Sequence, residues 1–288
     1  MNDNIQTLKE IRKYIVTRLK KNYPEQEISA ITNLIFKTQF GIERLHLLAE
    51  PNQIISSNIV NHIIGICNEL ETGKPLQYIL GETTFYKCII KVNNQTLIPR
   101  PETEELVDLV IRENKGFQGR ILDIGTGSGC IAIAIKKFLK EADLTGIDIS
   151  DGALEMASNN ARLNNVNVSF LKKDILKSDP ESIPFAEIIV SNPPYVLESE
   201  KKYMKSNILN FEPHMALFVP DEDPLIYYRA IVILSLIKLS PCGKIYFEIN
   251  EKKGSEICTL LESAGYSEVE IIKDINSKER FVKGRLHD

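Results

Sequence analysis

From about residue 117 onward, short apolar runs alternate with helix-length ones, and this alternation constrains the fold more than any other feature of the chain. Arg120–Ile124 reads as a strand and Cys130–Leu139 as an apolar helix; Leu144–Asp148 and Gly152–Leu163 repeat the pair. Val166–Phe170 and Glu187–Ser191 read as the third and fourth strands. A helix over Leu225–Leu239, a strand over Lys244–Ile249 and a helix over Ser255–Ala264 follow. Parallel neighbours need a crossover between them, so the run predicts an α/β fold, a mostly parallel sheet covered by helices on both faces. The ending departs from this rhythm. Val269–Ile272 and Phe281–Lys283 are strands with only a loop between them, which predicts an antiparallel C-terminal hairpin.

The first part of the chain reads differently. Ile5, Leu8, Ile11, Ile15 and Leu19 recur at helical spacing. Pro24 opens a second helix with Ile28, Ile31, Leu34 and Ile35 inward, and Gly41 ends it. A further helix carries Ile59, Ile63, Ile66 and Leu70 and stops near Gly73 and Pro75. Arg12, Lys13, Arg18, Lys20 and Lys21 on the first helix read as a solvated basic face. Between 76 and 99 the period becomes two, with Thr84–Tyr86 and Ile89–Val92 flanking Lys87 and Cys88. Three regions result: a helical domain over 1–75, a linker with a β-hairpin over 76–99, and a ligand-binding domain over 100–288.

Composition narrows the partners. Thirty-five basic against 39 acidic residues leave a net charge of −4, and a chain that grips duplex DNA normally shows a basic balance. Direct DNA binding is not expected. Cys67, Cys88, Cys130, Cys242 and Cys258 form no CxxC pair. They suggest neither a disulfide framework nor a metal site, and they fit a reducing cytoplasm. The N-terminus lacks the apolar stretch of a secretory signal, and the run Ala230–Ile237 is too short to span a bilayer.

The strongest local feature is Asp123-Ile-Gly-Thr-Gly-Ser-Gly129, between a strand and a helix. Gly125, Gly127 and Gly129 allow a sharp turn and a close ligand approach, and the helix start presents free N–H groups. Asp148 ends the next strand, where a carboxylate can accept both ribose hydroxyls of a nucleoside. Asp174 is placed to meet an adenine edge. The loop carries neither the dinucleotide spacing nor a P-loop lysine. With an acid before it, it suits a cofactor with a cationic amino-acid tail. S-adenosylmethionine fits, with Asp123 attracting its ammonium group directly or through water.

At the end of the fourth strand stand Asn192, Pro193, Pro194 and Tyr195. Ligands of open parallel sheets bind beyond the C-terminal strand ends, so this turn should face the same crevice as the glycine loop. Two prolines fix φ and remove N–H donors, leaving carbonyl acceptors beside the Asn192 oxygen. Such a rigid acceptor group holds an –NH₂ by both hydrogens, and Tyr195 can lie flat against a planar amide or base. A carboxamide nitrogen is a poor nucleophile because its lone pair is delocalised. Drawing on both N–H groups favours a pyramidal nitrogen aimed at a methyl carbon. Expulsion of a neutral thioether then needs no metal.

DIGTGSG, Asp148 and the Asn-Pro-Pro-Tyr turn together resemble class I S-adenosylmethionine-dependent methyltransferases acting on amino groups. Over nearly the whole chain the sequence is similar to one branch, the release-factor glutamine methyltransferases (HemK/PrmC type). The supporting stretches are Gly73–Gly81, Leu97–Glu104, Asn160-Ala161, Phe211–Leu217 and the loop from Lys273-Asp274 to Arg280. The resemblance implies a Rossmann-like class I methyltransferase sheet with a small helical domain that helps dock the substrate. It implies N5-methylation of the glutamine in the Gly-Gly-Gln loop of peptide-chain release factors, with S-adenosylhomocysteine as product. Carried onto this chain, Gly125, Thr126, Gly127, Ser128, Gly129 and Asp148 hold the cofactor, with Asp174 and Ile175 beside its adenine. Asn192, Pro193, Pro194 and Tyr195 hold the glutamine amide, and Arg100, Pro101 and Glu102 line the pocket entrance. Two departures stand out. Phe218–Pro224 replaces a glycine-rich loop, and Ile175 stands where the family often has an aromatic residue. His214 reads as a loop histidine, and Lys201, Lys202, Tyr203 and Lys205 as a solvated loop. The competing readings are a DNA adenine or cytosine amino-methyltransferase using the same tetrapeptide, and a binding module without turnover.

Overall fold

In a computed structural model describing residues 5–287, the first helix starts where a side chain can cap it. Thr7 Oγ1 accepts the Glu10 N–H at 3.3 Å, and Glu10 accepts the Thr7 N–H at 3.0 Å, a reciprocal cap for α1 (Leu8–Leu19). α2 (Glu25–Phe40) ends at Gly41, whose φ of 66° turns the chain off the helix. α3 (Arg44–Ala49), α4 (Ser57–Glu71, capped by Ser56) and α5 (Leu76–Leu80) complete the run. Leu8, Ile11, Ile15, Leu19, Ile28, Ile31, Ile35, Ile63, Ile66 and Leu70 are buried together, as the helical spacing requires. Leu34 and Ile59 are half-buried, and Val60 is buried instead. Arg18, part of the basic face, pairs with Glu71.

Two of these helices are absent from the sequence reading. In α3 only Leu47 is buried, and six residues are too few to show a stripe. α5 lies at the start of the stretch read as linker; Pro75 opens it and Gly81, at φ 74°, closes it. The helical unit extends to Gly81 and includes Lys205–Phe211 from later in the chain.

The second unit takes in Glu82–Met204 and the chain from Glu212 onward. It opens with the hairpin β1 (Glu82–Phe85) and β2 (Cys88–Lys91). The turn is Tyr86-Lys87, with φ of 41° and 63°, so Cys88 belongs to the strand and not to the turn. Two left-handed central residues give the twist that a two-residue hairpin needs. α6 (Pro101–Glu113), unassigned from sequence, carries Pro101 in its first turn and buries Thr103, Leu106, Val107, Leu109 and Val110. Then come β3 (Arg120–Ile124), α7 (Cys130–Phe138), β4 (Asp143–Asp148), α8 (Asp151–Leu163), β5 (Ser169–Lys172) and β6 (Ala186–Ser191). β7 (Val196–Leu197) and β8 (Phe218–Val219), between which the chain forms α9 (Ser206–Phe211) of the helical unit, lead to α10 (Ile226–Lys238), β9 (Leu239–Glu248) and α11 (Gly254–Ser263). β10 (Tyr266–Lys273) and β11 (Glu279–Leu286) close the chain and run longer than their apolar cores suggested. β5 begins three residues later than read, at Ser169 rather than Val166.

The main sheet has the order β10-β11-β9-β6-β3-β4-β5, parallel except for β11. Its central strands β3 and β6 are buried over nearly their whole length, as expected where helices cover both faces. α7 buries Ile131 through Ile135 without a break, which places it inside the layers. The order reverses direction between β3 and β6, and the crevice for a ligand opens at that switch point.

Two asparagines fasten the hairpin to this core. Asn160, fully buried on α8, accepts the Lys91 N–H at 2.8 Å and donates to the Lys91 carbonyl at 3.0 Å and to the Ser128 carbonyl at 2.9 Å. One turn on, Asn164 pairs with both backbone groups of Ile89 at 3.1 and 2.7 Å. Each carboxamide stands in for the peptide of a missing neighbour strand. Asn160→Ala strands one buried and two part-buried backbone groups, which costs about 2–3 kcal/mol and lowers the melting temperature by roughly 4–12 °C. A thermal melt checks this.

Candidate active site

The loop Ile124–Gly129 leaves β3 and turns back into α7. Gly125, Gly127 and Gly129 all adopt positive φ (73°, 54° and 79°), where an L side chain is strained. At Gly125 and Gly127 the space a Cβ would take is open, so the bare backbone faces the crevice. Gly129 is different: a Cβ there would stand 2.9 Å from the Ala157 Cβ, so this glycine lets α7 approach α8.

Asp148, at the end of β4, accepts the Gly127 N–H at 2.8 Å on Oδ2 and the Ser150 N–H at 2.9 Å on Oδ1. Burial raises its pKa, and those two N–H groups oppose the rise. Asp123 lies beneath the loop and is fully buried. Its Oδ2 accepts the Thr126 hydroxyl at 2.6 Å and the Ala132 N–H at 3.3 Å, while Oδ1 has no partner. Burial pushes its carboxyl up to about 7.

A cavity of about 390 Å³ opens above these strand ends. Gly125, Gly127, Asp148, Asp174, Ile175, Asn192, Pro193 and Pro194 line it, so the glycine loop and the proline turn share one crevice. Asp123, Thr126, Ser128 and Gly129 do not line it; they shape the loop from behind. Asp174 Oδ1 accepts the Leu176 N–H at 2.9 Å, which turns the chain so that Ile175 faces the cavity. Ile149 and Tyr227, neither expected, add apolar wall to the same space.

Tyr195, expected to lie against the bound amide, is not among the lining residues. Its hydroxyl donates to Glu248 Oε1 at 3.0 Å, and its ring packs on the core beneath the sheet edge. Arg100, Pro101 and Glu102 do not border the cavity either. The Arg100 guanidinium donates at 2.5 Å to Glu212, which also accepts the Ile98 N–H at 3.2 Å and whose side chain is 1% exposed. Losing one partner of such a pair leaves a buried charge uncompensated, so Arg100 braces the chain entering α6. Pro101 lines a separate depression with Tyr86 and Phe281. His214, read as a loop histidine, opens a 3₁₀ turn over His214–Ala216 and sets its ring edge-on to Phe218 at 5.3 Å. Residues 198–203 form a 3₁₀ turn rather than open loop, with Lys201 over the Phe218 ring at 4.4 Å and Tyr203 exposed. Phe218-Val219 pairs with Val196-Leu197 as a short parallel ribbon, which gives the altered 218–224 segment a fixed start.

Sequence reasoning missed the residues behind Asn192. Its Nδ2 donates to Thr103 Oγ1 at 3.1 Å, and the Thr103 hydroxyl donates to Glu248 Oε2 at 2.7 Å. Glu248 is 1% exposed, its pKa raised by burial against the pull of the two hydroxyls and of Arg280. The Tyr228 hydroxyl donates to the Glu248 carbonyl at 2.9 Å.

Residues 103–211 match the model of the methyltransferase small domain, and residues 10–81 that of the PrmC N-terminal domain. The release factor glutamine methyltransferase of Flavobacterium psychrophilum is 42% identical over 280 residues, covering 96% of this chain and 98% of that protein. The chain belongs to the release factor glutamine methyltransferase family. The family's protein of the same name from Bacteroides thetaiotaomicron is also 42% identical, over 94% of this chain and 98% of its own length. A methyltransferase from Pyrococcus furiosus shares the fold, with a TM-score of 0.53 at 18% identity over 81% of this chain and all of that one. Among the described residues, no group of three or more His, Cys, Asp or Glu is placed to hold a metal ion, and no helix is long and apolar enough to cross a membrane.

Proposed function

We propose that this chain methylates the side-chain amide nitrogen (N5) of the glutamine in the Gly-Gly-Gln loop of peptide-chain release factors, in the cytoplasm, with S-adenosylmethionine as donor. The observation that carries this reading is the shared crevice: Asn192 and its two prolines line the same cavity as Gly125, Gly127 and Asp148. The residues fit the donor. Open backbone at Gly125 and Gly127 admits its close approach, and Asp148 retains lone pairs for a ribose diol. Ile149 and Ile175 offer an aliphatic slot for adenine. The unpartnered Asp123 Oδ1 suits an ammonium, directly or through water, and such a cation would favour the ionised carboxyl.

When bound, the donor supplies a methyl carbon on a cationic sulfur. The work of the chain is to position the amide. Asn192 Oδ1 and the carbonyls of the turn accept the two N–H bonds, which directs the nitrogen lone pair at the methyl. Held against Gly125, Gly127 and Asp148, the donor would give up its methyl to that nitrogen and keep the S–C electron pair as a neutral thioether, S-adenosylhomocysteine. One amide proton leaves to water. Most of the acceleration comes from positioning and fixed dipoles.

Radiolabelled S-adenosylmethionine with a bacterial release factor tests this directly. Label enters the factor and disappears when its Gly-Gly-Gln glutamine is replaced by alanine. Label in duplex DNA, with none in the factor, sinks the reading.

A further inference from the structure

A carboxamide has two arms of similar shape and opposite polarity, and an amide-gripping Asn192 works only with its oxygen arm toward the ligand. The catalytic unit contains a relay that settles this choice. Glu248, at the end of β9, accepts two hydroxyls, Tyr195 on Oε1 at 3.0 Å and Thr103 on Oε2 at 2.7 Å. In its ionised form, which the two hydroxyls and Arg280 favour against burial, Glu248 has no proton to return, so the single hydroxyl hydrogen of Thr103 is committed to it. Thr103 can then only accept from its other side, and the group it meets there is Asn192 Nδ2 at 3.1 Å. With the –NH₂ arm fixed inward, Oδ1 is the arm presented to the cavity that Asn192 lines.

We infer that Thr103 and Glu248 are positioning residues that set the polarity of Asn192 through a one-way hydrogen-bond chain. The inference rests on the methyltransferase reading above and deepens it. Burial makes the chain effective: Thr103 is 2% exposed and Glu248 1%, so no water competes for either group. The elements are held independently, since Thr103 lies in the first turn of α6 and the Glu248 backbone is tied by Tyr228. A neutral group in place of the carboxylate loses this one-way character. It can donate to Thr103, which then donates to Asn192 and turns the –NH₂ arm toward the ligand.

Three single variants and one double variant test the relay, each measured for kcat, for release-factor KM, for S-adenosylhomocysteine affinity by calorimetry, and for melting temperature. Thr103→Val keeps the β-branched shape and removes the hydroxyl. It should lower kcat about 30-fold, equivalent to ~2 kcal/mol at 1.36 kcal/mol per tenfold, with KM and cofactor-product affinity within about threefold. Thr103→Ser restores the hydroxyl and should recover most of that loss. Glu248→Gln should lower kcat to a similar degree. In an Asn192→Ala background, Thr103→Val should add less than about threefold, because its effect passes through Asn192. Unchanged kcat in Thr103→Val beside an active wild type overturns the relay alone. So does an equal loss in the valine and serine variants that tracks a fall in melting temperature. No transfer by the wild-type chain to the release-factor glutamine overturns the functional reading and the relay with it.

Discussion

Asn192→Ala is expected to lower kcat by more than a hundredfold while leaving S-adenosylmethionine affinity within about threefold. The side chain lines the cavity at the end of β6, and its inner arm is already held by Thr103 at 3.1 Å. Truncation therefore removes a preorganised acceptor without opening the cofactor wall formed by Gly125, Gly127 and Asp148. Removing one such fixed dipole from a water-poor site typically costs 10²–10³ in kcat. The loss should fall on kcat more than on KM, because the acceptor matters most as the nitrogen loses its amide resonance and charge develops on it. Single-turnover methyl transfer to a release factor, beside calorimetric titration with S-adenosylmethionine, separates the two effects. Near-normal turnover in this variant would show that the amide is held by something else.

The parts of this site that could be read from sequence are those whose chemistry is local. Three glycines at alternate positions between a strand and a helix point to a tight turn with left-handed residues, and the structure gives all three a positive φ. Asp148 and the Asn-Pro-Pro turn were legible for a related reason: strand ends at a switch point converge on one crevice, so a residue's place on its strand fixes where it faces. The supporting groups were not legible. Glu248 reads as one more residue of an apolar strand, and its meaning appears only when Thr103 and Tyr195 arrive from distant segments. Glu212 likewise acquires its role from Arg100 and Ile98, more than a hundred positions earlier. The pairing of Tyr195 was hidden for the same reason, since nothing near it in sequence reveals the buried carboxylate that takes its hydroxyl. α6 is another matter. Its proline start and its apolar spacing are both present in the sequence, so this helix was legible there and went unassigned. The short helices α3 and α5 offered no such signal, because fewer than two turns cannot display a stripe.

Asp148→Ala is expected to produce the opposite split, weakening cofactor binding about a hundredfold with kcat at saturating cofactor within about threefold. Its carboxylate is the acceptor placed for two ribose hydroxyls, and hydrogen bonds to a buried charged acceptor are worth about 1.5–3 kcal/mol each. A net loss of about 3 kcal/mol corresponds to roughly a hundredfold in Kd at 1.4 kcal/mol per tenfold. The substitution also releases the Gly127 N–H held at 2.8 Å and the Ser150 N–H held at 2.9 Å, so the glycine loop loses its anchor to β4. Asn192 is positioned from α6 and β9 instead, and the reacting geometry survives once the donor is forced in by concentration. The pH dependence follows from the same carboxyl. Burial raises the Asp148 pKa, so its ionised, accepting form is lost earlier than usual as pH falls. In the wild type, cofactor affinity should therefore decline toward acid, and the alanine variant should lose that part of the slope. Calorimetry with S-adenosylhomocysteine across the acidic range measures both. A Kd within threefold of wild type in Asp148→Ala, or an acid slope that persists unchanged, would place the ribose elsewhere in the cavity.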